Sequence, residues 1–221
     1  MTPRSASYPT LSRFVIKLSA SGRLRFRALP DLPHETCPTF GPWTLSHKAD
    51  RRGAQLADGH YSRRKVGSPQ FMPPGETVVL VAPGAVFGWW RPHPRSGLKA
   101  MNGYDGWTCS IFRRVSGPLA SDMILAAELA LENKSCGPSG LLSYVWPAKV
   151  RSSNPGYCFQ MAGYRDIGAS ADGRKRLFWK PWEMRGVAAS GLFPPIKAEF
   201  ARLSALARPT RSLRPARFGR R

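Results

Sequence analysis

The sequence predicts an α/β domain of the α+β kind: a sheet flanked by helices, set between basic extensions. Three observations support that class. Short apolar runs closed by Pro and Gly follow one another from residue 76 to residue 112. One long helical pattern then interrupts them. Strand patterns and a short helix return after it.

The elements follow from their residues in order. Residues 1–35 form a polar, basic, proline-containing N-terminal extension. Within it "SRFVIKLSASGRLRFRALP" predicts a strand pair with Ser21-Gly22 at the turn. Residues 36–180 form the main domain, and its first part, 36–75, reads as an irregular loop punctuated by Pro and Gly. Loops this long in a compact domain tend to be functional. Phe40, Trp43, Tyr61 and Phe71 mark it as a loop that packs on something, and Arg51, Arg52, Arg63, Arg64 and Lys65 make it basic.

At Glu76 the pattern changes. "ETVVLVAP" is a buried-strand signal, β-branched and closed by Pro83, and "AVFGWWRP" is its partner across Pro83-Gly84. Trp89 and Trp90 are adjacent, so they face opposite sides of that strand, one to the core and one to line a groove. "GWTCSIFRRVS" is a third strand. "GPLASDMILAAELALENKS" is the clearest helix, with Ser121 as its expected N-cap, Asp122 in the first turn and Met123, Ile124, Ala127 and Leu131 at helical spacing. "GLLSYVWP" is the next strand. A sharp Asn-Pro-Gly turn then leads into a short helix from about Pro155 to Met161, stopped at Ala162-Gly163. Asn154 is the expected cap of that helix, with Pro155 at its first position, where a missing N–H costs nothing. "YRDIGASADGRKRLFWKP" closes as a hairpin tipped by Asp172-Gly173.

Residues 181–221 form a basic C-terminal extension. "KAEFARLSALA" reads as a short helix. "RPTRSLRPARFGRR" carries six arginines (Arg208, Arg211, Arg214, Arg217, Arg220 and Arg221), two prolines and no acid, the composition of a disordered arm. Such an arm adds salt-dependent phosphate affinity.

Charge narrows the function. Among 221 residues, 34 Lys and Arg stand against 13 Asp and Glu, a formal charge of +21. An excess of that size points to a polyanionic partner, most often nucleic acid. Arginine dominates, and its planar fork bonds phosphate oxygens in pairs and stacks on bases, which favours nucleic acid over a membrane surface. No run of 18 apolar residues occurs, so no membrane span is expected. "FVI" is too short for a signal-peptide core, and the chain reads as cytoplasmic. Cys37, Cys109, Cys136 and Cys158 are scattered without a C-x-x-C, and His34 with Cys37 lacks a matching second half, so reduced thiols are expected rather than a zinc site.

The order strand, strand, strand, helix, strand, short helix, strand, strand is similar to the second half of the GNAT N-acetyltransferase fold. A narrower likeness sits on it. "HYSRR", "CSIFRR" and "SSNPGYCF" followed by "AGY" resemble the Mom family of phage DNA-modification proteins, over about residues 58–180. The resemblance implies a mixed, mostly antiparallel sheet with splayed central strands, and acetyl-CoA held between them. It implies an enzyme acting on double-stranded DNA, altering the N6 amino group of adenine in a carbamoylmethylation-like reaction that protects DNA from restriction, in the cytoplasm of a bacterial host. An iron cofactor has been considered for the family, and the candidate ligands here are His60 and Asp105.

The residues carry roles on the same reading. Arg113, Arg114, Gly117 and Ser121 of "RRVSGPLAS" are candidates for the cofactor's diphosphate, because a helix start offers amide donors beside positive charge. The GNAT loop signature Q/R-x-x-G-x-G/A is met only as Arg114-Val-Ser-Gly117-Pro-Leu, without the second glycine. Asn154, beside the splayed strands, is a further candidate for binding the cofactor, and Tyr157 is directed at the thioester. His60, Tyr61, Asp105, Ser153 and Tyr157 are the candidate catalytic residues: histidine to shuttle a proton, tyrosine to hydrogen-bond or stack on a flipped base. Asp105 in "NGYDGW" also has a plain explanation as a turn residue. Arg51, Arg52, Arg63, Arg64, Lys65, Arg208, Arg211 and Arg214 are the candidate DNA ligands. Two other readings remain open: a GNAT acting on a small amine or a protein, and a basic DNA-binding protein without catalysis.

Overall fold

The structure is a computed structural model that describes residues 15–18, 24–27, 37–93 and 101–189. The chain divides into two compact units, residues 1–37 and 38–221. The first holds β1 (Val15–Leu18) and β2 (Leu24–Arg27), paired antiparallel with Val15 opposite Arg27. The residues expected at their turn, the "KAEFARLSALA" helix and the arginine arm with Arg208, Arg211 and Arg214 lie outside the described residues.

The second unit is built on one eight-stranded sheet in the order β3-β4-β5-β6-β7-β8-β10-β9. Its strands are β3 (Thr39–Phe40), β4 (Trp43–Ser46), β5 (Glu76–Ala82), β6 (Ala85–Arg91), β7 (Trp107–Arg114), β8 (Leu141–Val145), β9 (Arg165–Ala169) and β10 (Arg176–Lys180). Every neighbouring pair is antiparallel except β7 and β8, which run parallel. A parallel pair needs a crossover. Here α2 (Ala120–Leu129) supplies it, and α3 (Tyr157–Met161) follows β8.

Alternation along β5 shows how the sheet is covered. Val78, Leu80 and Ala82 join the main core with Met123, Ile124 and Ala127 of α2 and Phe159 of α3. Val79 and Val81 point the other way and pack with Ala57 of α1 (Arg51–Asp58), Phe71 and Met72. The main core runs unbroken across its face. On the opposite face the core divides into one cluster over β5–β7 and another, with Tyr104, Leu142, Tyr144, Leu177 and Trp179, over β8 and β10. The division falls at the parallel pair.

Three expectations are corrected. The segment read as irregular contains the β3–β4 hairpin and α1, so Arg51 and Arg52 are helical. Asp50 starts α1: its carboxylate accepts the amides of Arg52 (2.8 Å) and Gly53 (3.3 Å) and the hydroxyl of Ser46 (2.6 Å). Gly53 lets the helix sit close, since a Cβ there would stand 3.2 Å from Val81 of β5 and 2.8 Å from the ring of Phe71. Second, the N-cap of α2 is Leu119, with no side-chain cap bond, and Ser121 lies inside the first turn. Third, both neighbouring tryptophans of β6 are buried. Trp89 donates its indole N–H to Ala127 and Trp90 donates to Pro74, so Trp90 fills the second core cluster instead of lining a groove.

Candidate functional site at the β7–β8 fork

β7 and β8 pair over only three positions, Trp107 with Leu141, Thr108 with Leu142 and Cys109 with Ser143. β7 runs on to Arg114 along β6, and β8 runs on to Val145 along β10. The strands therefore part after Cys109 and Ser143. The cause is visible in the other neighbour of β7. Gly88 faces Ile111 and Trp89 faces Cys109, which leaves Ser110 as an extra residue. An extra residue bends its strand and raises the local twist. The bend falls where the parallel pairing stops.

The turn after α1 reaches this fork. Gly59 ends the helix with its amide on the carbonyl of Leu56, and the amide of His60 bonds to Ala57. The Asp58–Arg63 ion pair (2.8 Å) holds the following loop, because Arg63 also donates to the carbonyls of Ser68 and Gln70. The guanidinium of Arg113 lies against Gly59, where a Cβ would come within 1.6 Å of Nη1. Tyr61 lies across the fork and accepts the amide of Trp146, the residue after β8, at 3.5 Å. The His60 ring lies against Tyr61, tilted by 32°, with ring centroids 4.2 Å apart.

Electrostatics set the protonation of the pair. Burial, helped by the charge of Arg113, lowers the His60 imidazole to about 4. Its Nδ1 accepts the amide of Ser62 (3.2 Å) and lies 2.7 Å from the Ser62 hydroxyl. A neutral ring whose Nδ1 accepts carries its proton on Nε2. In that form His60 presents a hydrogen-bond donor at Nε2. Burial raises the Tyr61 phenol, so it keeps its proton. The thiols of Cys109 and Cys158 are neighbours of that phenol, and burial pushes both up, so neither is a thiolate at neutral pH.

The other side of the fork is held by α3. Phe159 packs against Phe112 of β7 (6.4 Å), Tyr164 (5.3 Å) and Phe178 of β10 (6.1 Å). The residue that starts α3 is Gly156, not Asn154. Its φ is +93°, and a Cβ there would stand 2.1 Å from the Phe178 ring. Asn154 instead accepts the Tyr157 amide on its main-chain carbonyl and turns its side-chain amide to Gln160 (3.3 Å). Ser153 and Tyr157 are exposed beside it. In the loop from β7 to α2, Arg114 donates to the carbonyls of Gly117 and Pro118 (both 3.2 Å).

A buried ion pair, not anticipated from the sequence, ties these parts together. Lys180 of β10 donates to Glu128 of α2 and to the carbonyl of Ala162 at the end of α3, both at 2.7 Å. The same Glu128 oxygen accepts the amide of Gly186 (2.7 Å).

Of the predicted site residues, the structure brings His60, Tyr61 and Arg113 together. Asp105 does not join them. It precedes β7, whereas His60 lies by Arg113 at the other end of that strand, so the two do not form one ligand set. The carbonyl of Asp105 accepts the amide of Ser139, a structural use. Among the described residues, no group of three or more His, Cys, Asp or Glu is placed to hold a metal ion. The basic candidates also divide: Arg52 pairs with Asp50 and Arg63 with Asp58, while Arg51, Arg64 and Lys65 are exposed. Among the described residues, no helix is long and apolar enough to cross a membrane. Compared with family models, with curated proteins and with solved structures, the chain finds no match in any of the three.

Proposed function

We propose that this protein is a GNAT-like, acetyl-CoA-dependent enzyme that alters the N6 amino group of adenine in DNA. The observation that carries the reading is the fork at Ser110, with His60, Tyr61 and Arg113 gathered at it. A sheet of this order, with one parallel pair parting at a bulge and a helix crossing between its strands, supports the GNAT likeness.

The chain's own groups fit an acyl-CoA. Val115 and Leu119 are exposed apolar residues on the loop from β7, and Tyr157 and Met161 are exposed one turn apart on α3. Each pair offers exposed apolar surface of the kind a long, flexible arm would contact. The amides of Val115 and Ser116 are taken by the carbonyl of Gly84, and Pro118 has none. That leaves Gly117, Leu119 and the first turn of α2 to meet a diphosphate, with Arg114, which reaches the same loop, supplying charge. The bound thioester would supply an activated acyl carbon.

The residues at the fork then have distinct tasks. His60 holds its proton at Nε2 and donates toward a carbonyl oxygen. Tyr61 holds its proton at Oη: as nitrogen bonds to the acyl carbon and the carbon–sulfur bond breaks, the phenol would protonate the departing sulfur and take back the proton that the amino group sheds. Burial, helped by Arg113, keeps His60 neutral, and Arg113 adds positive charge. The adenine amino group is a poor nucleophile because its lone pair is delocalised, so orientation of the base carries much of the catalysis. The target atom is hidden in a duplex, so the base must be flipped out or met unpaired. The net charge of +21 supplies the sequence-independent grip on phosphate.

Calorimetric titration with acetyl-CoA, followed by thiol release with and without DNA, tests the reading. Binding together with DNA-dependent release of free thiol is expected. Release on small amines without DNA would identify an ordinary acetyltransferase. Tight, salt-sensitive DNA binding without acetyl-CoA binding would leave only a DNA-binding protein.

A further inference from the structure

We infer that Trp146 is a stacking platform for an unpaired nucleobase, with Lys149 and Arg174 as the adjoining grips on phosphate. The inference rests on the DNA reading of the fork and names the form in which DNA meets it.

Trp146 stands apart from five of the other six tryptophans by its burial, and from the sixth, Trp182, by its packing: Trp182 is also half-buried and has Arg185 over its ring at 4.1 Å, but it packs against the main core. Trp43, Trp89, Trp90, Trp107 and Trp179 are buried, and each donates its indole N–H to a main-chain carbonyl. Trp146 is half-buried and belongs to none of the three core clusters among the described residues. Its ring neighbours are cations: Nζ of Lys149 at 5.8 Å and Cζ of Arg174 at 5.4 Å from the ring centroid. These come from different elements, the short turn after β8 and the tip of the β9–β10 hairpin. Main-chain geometry fixes the platform to the site, because the amide of Trp146 is the one that Tyr61 accepts.

An aromatic ring beside flexible cations matches the alternation of base and phosphate along a strand. Arg174 can yield its place. Its side chain is 64% exposed, and apart from the Trp146 ring its partner among the described residues is Asp172, itself 42% exposed, through a screened ion pair. Stacking of a base on an aromatic ring outweighs an exposed cation–π contact. An arriving base therefore displaces the guanidinium, which turns to the neighbouring phosphate. Arg151 is exposed in the next turn and extends the same basic edge. An acidic polypeptide would use the cations but not the ring face.

The test compares binding of a labelled oligodeoxyadenylate with an abasic strand of equal length and charge, across a salt series, using the full chain. The wild-type protein should prefer the strand that carries bases. Trp146→Leu keeps apolar volume and removes the ring. It should lose about tenfold on the base-bearing strand, nothing on the abasic one, and leave the salt slope unchanged. Trp146→Phe should keep most of the preference. Arg174→Ala should weaken binding to both strands and flatten the slope. A Trp146→Leu protein with the wild-type preference for bases overturns the inference and leaves the DNA reading intact. A wild-type protein that binds neither strand overturns the DNA reading itself. Equally tight, Trp146-dependent binding to polyglutamate overturns the inference in favour of a protein partner.

Discussion

The ammonium of Lys180 lies 2.7 Å from Oε2 of Glu128, and neither side chain has any exposed surface. Burial pushes the Glu128 carboxyl up and the Lys180 ammonium down, and each charge opposes the effect on its partner. The pair joins α2, the end of α3 and β10, the elements that frame the fork. Lys180→Met should cost about 3–5 kcal/mol, because it strands a buried carboxylate. The double variant Lys180→Met with Glu128→Leu should recover much of that loss. Denaturant melts of the two single variants and the double check the coupling.

Asp50 links acid stability to α1. Burial acts to raise its carboxyl, but bonds from Arg52, Ser46 and the amides of Gly53 and Arg52 outweigh it and hold the group well below its usual range. A depressed carboxylate contributes stability above its unfolded value of 3.8, and the contribution fades as pH falls through the folded value. Asp50→Ala should therefore lower stability by about 0.5–2 kcal/mol at neutral pH. Denaturation melts should show the gap from wild type closing progressively below about pH 4.

His60 works in a higher window. Its folded value of about 4 lies below the ordinary 6.5, so between them the unfolded chain binds the extra proton. Stability is lost as pH falls from 6.5 toward 4. His60→Gln should remove about 1–3 kcal/mol of the pH dependence across that interval. Melts of both proteins at neutral and mildly acidic pH measure it, and an NMR titration of the His60 ring reports the same shift directly.

Gly156 is placed where only glycine fits, by its φ of +93° and by the Phe178 ring. Gly156→Ala should cost about 2–4 kcal/mol through backbone strain and overpacking. Gly173→Ala, at a hairpin tip with open space around it, carries the strain alone and should cost less. Thermal melts of the two variants rank them.

The strands from Glu76 to Lys180 were legible because β-branched runs closed by Pro and Gly leave few alternatives, and the outline of α2 followed from apolar spacing. The helix α1 was hidden because "DRRGAQLAD" shows few apolar residues, and its start is set by Asp50 bonding forward to amides. Asn154 was an apparent cap, but Phe178 leaves space for no side chain at position 156, so the cap falls on Gly156. His60, Tyr61 and Arg113 were named individually, whereas their meeting depends on a bulge created by pairing with β6. Glu128 and Lys180 gave no signal, since a charge within an apolar helix and one at a strand end both read as exposed. Trp146 read as a strand end, and its cationic neighbours lie up to 28 positions away in sequence, a separation no local pattern reports.

The most direct measurement is the mass of the nucleosides in plasmid DNA taken from cells that make this protein. The account predicts that part of the deoxyadenosine appears at a higher mass, and that Tyr61→Phe, which removes the phenol at the fork without emptying it, abolishes the new species. An unshifted deoxyadenosine in cells containing abundant folded wild-type protein would contradict it.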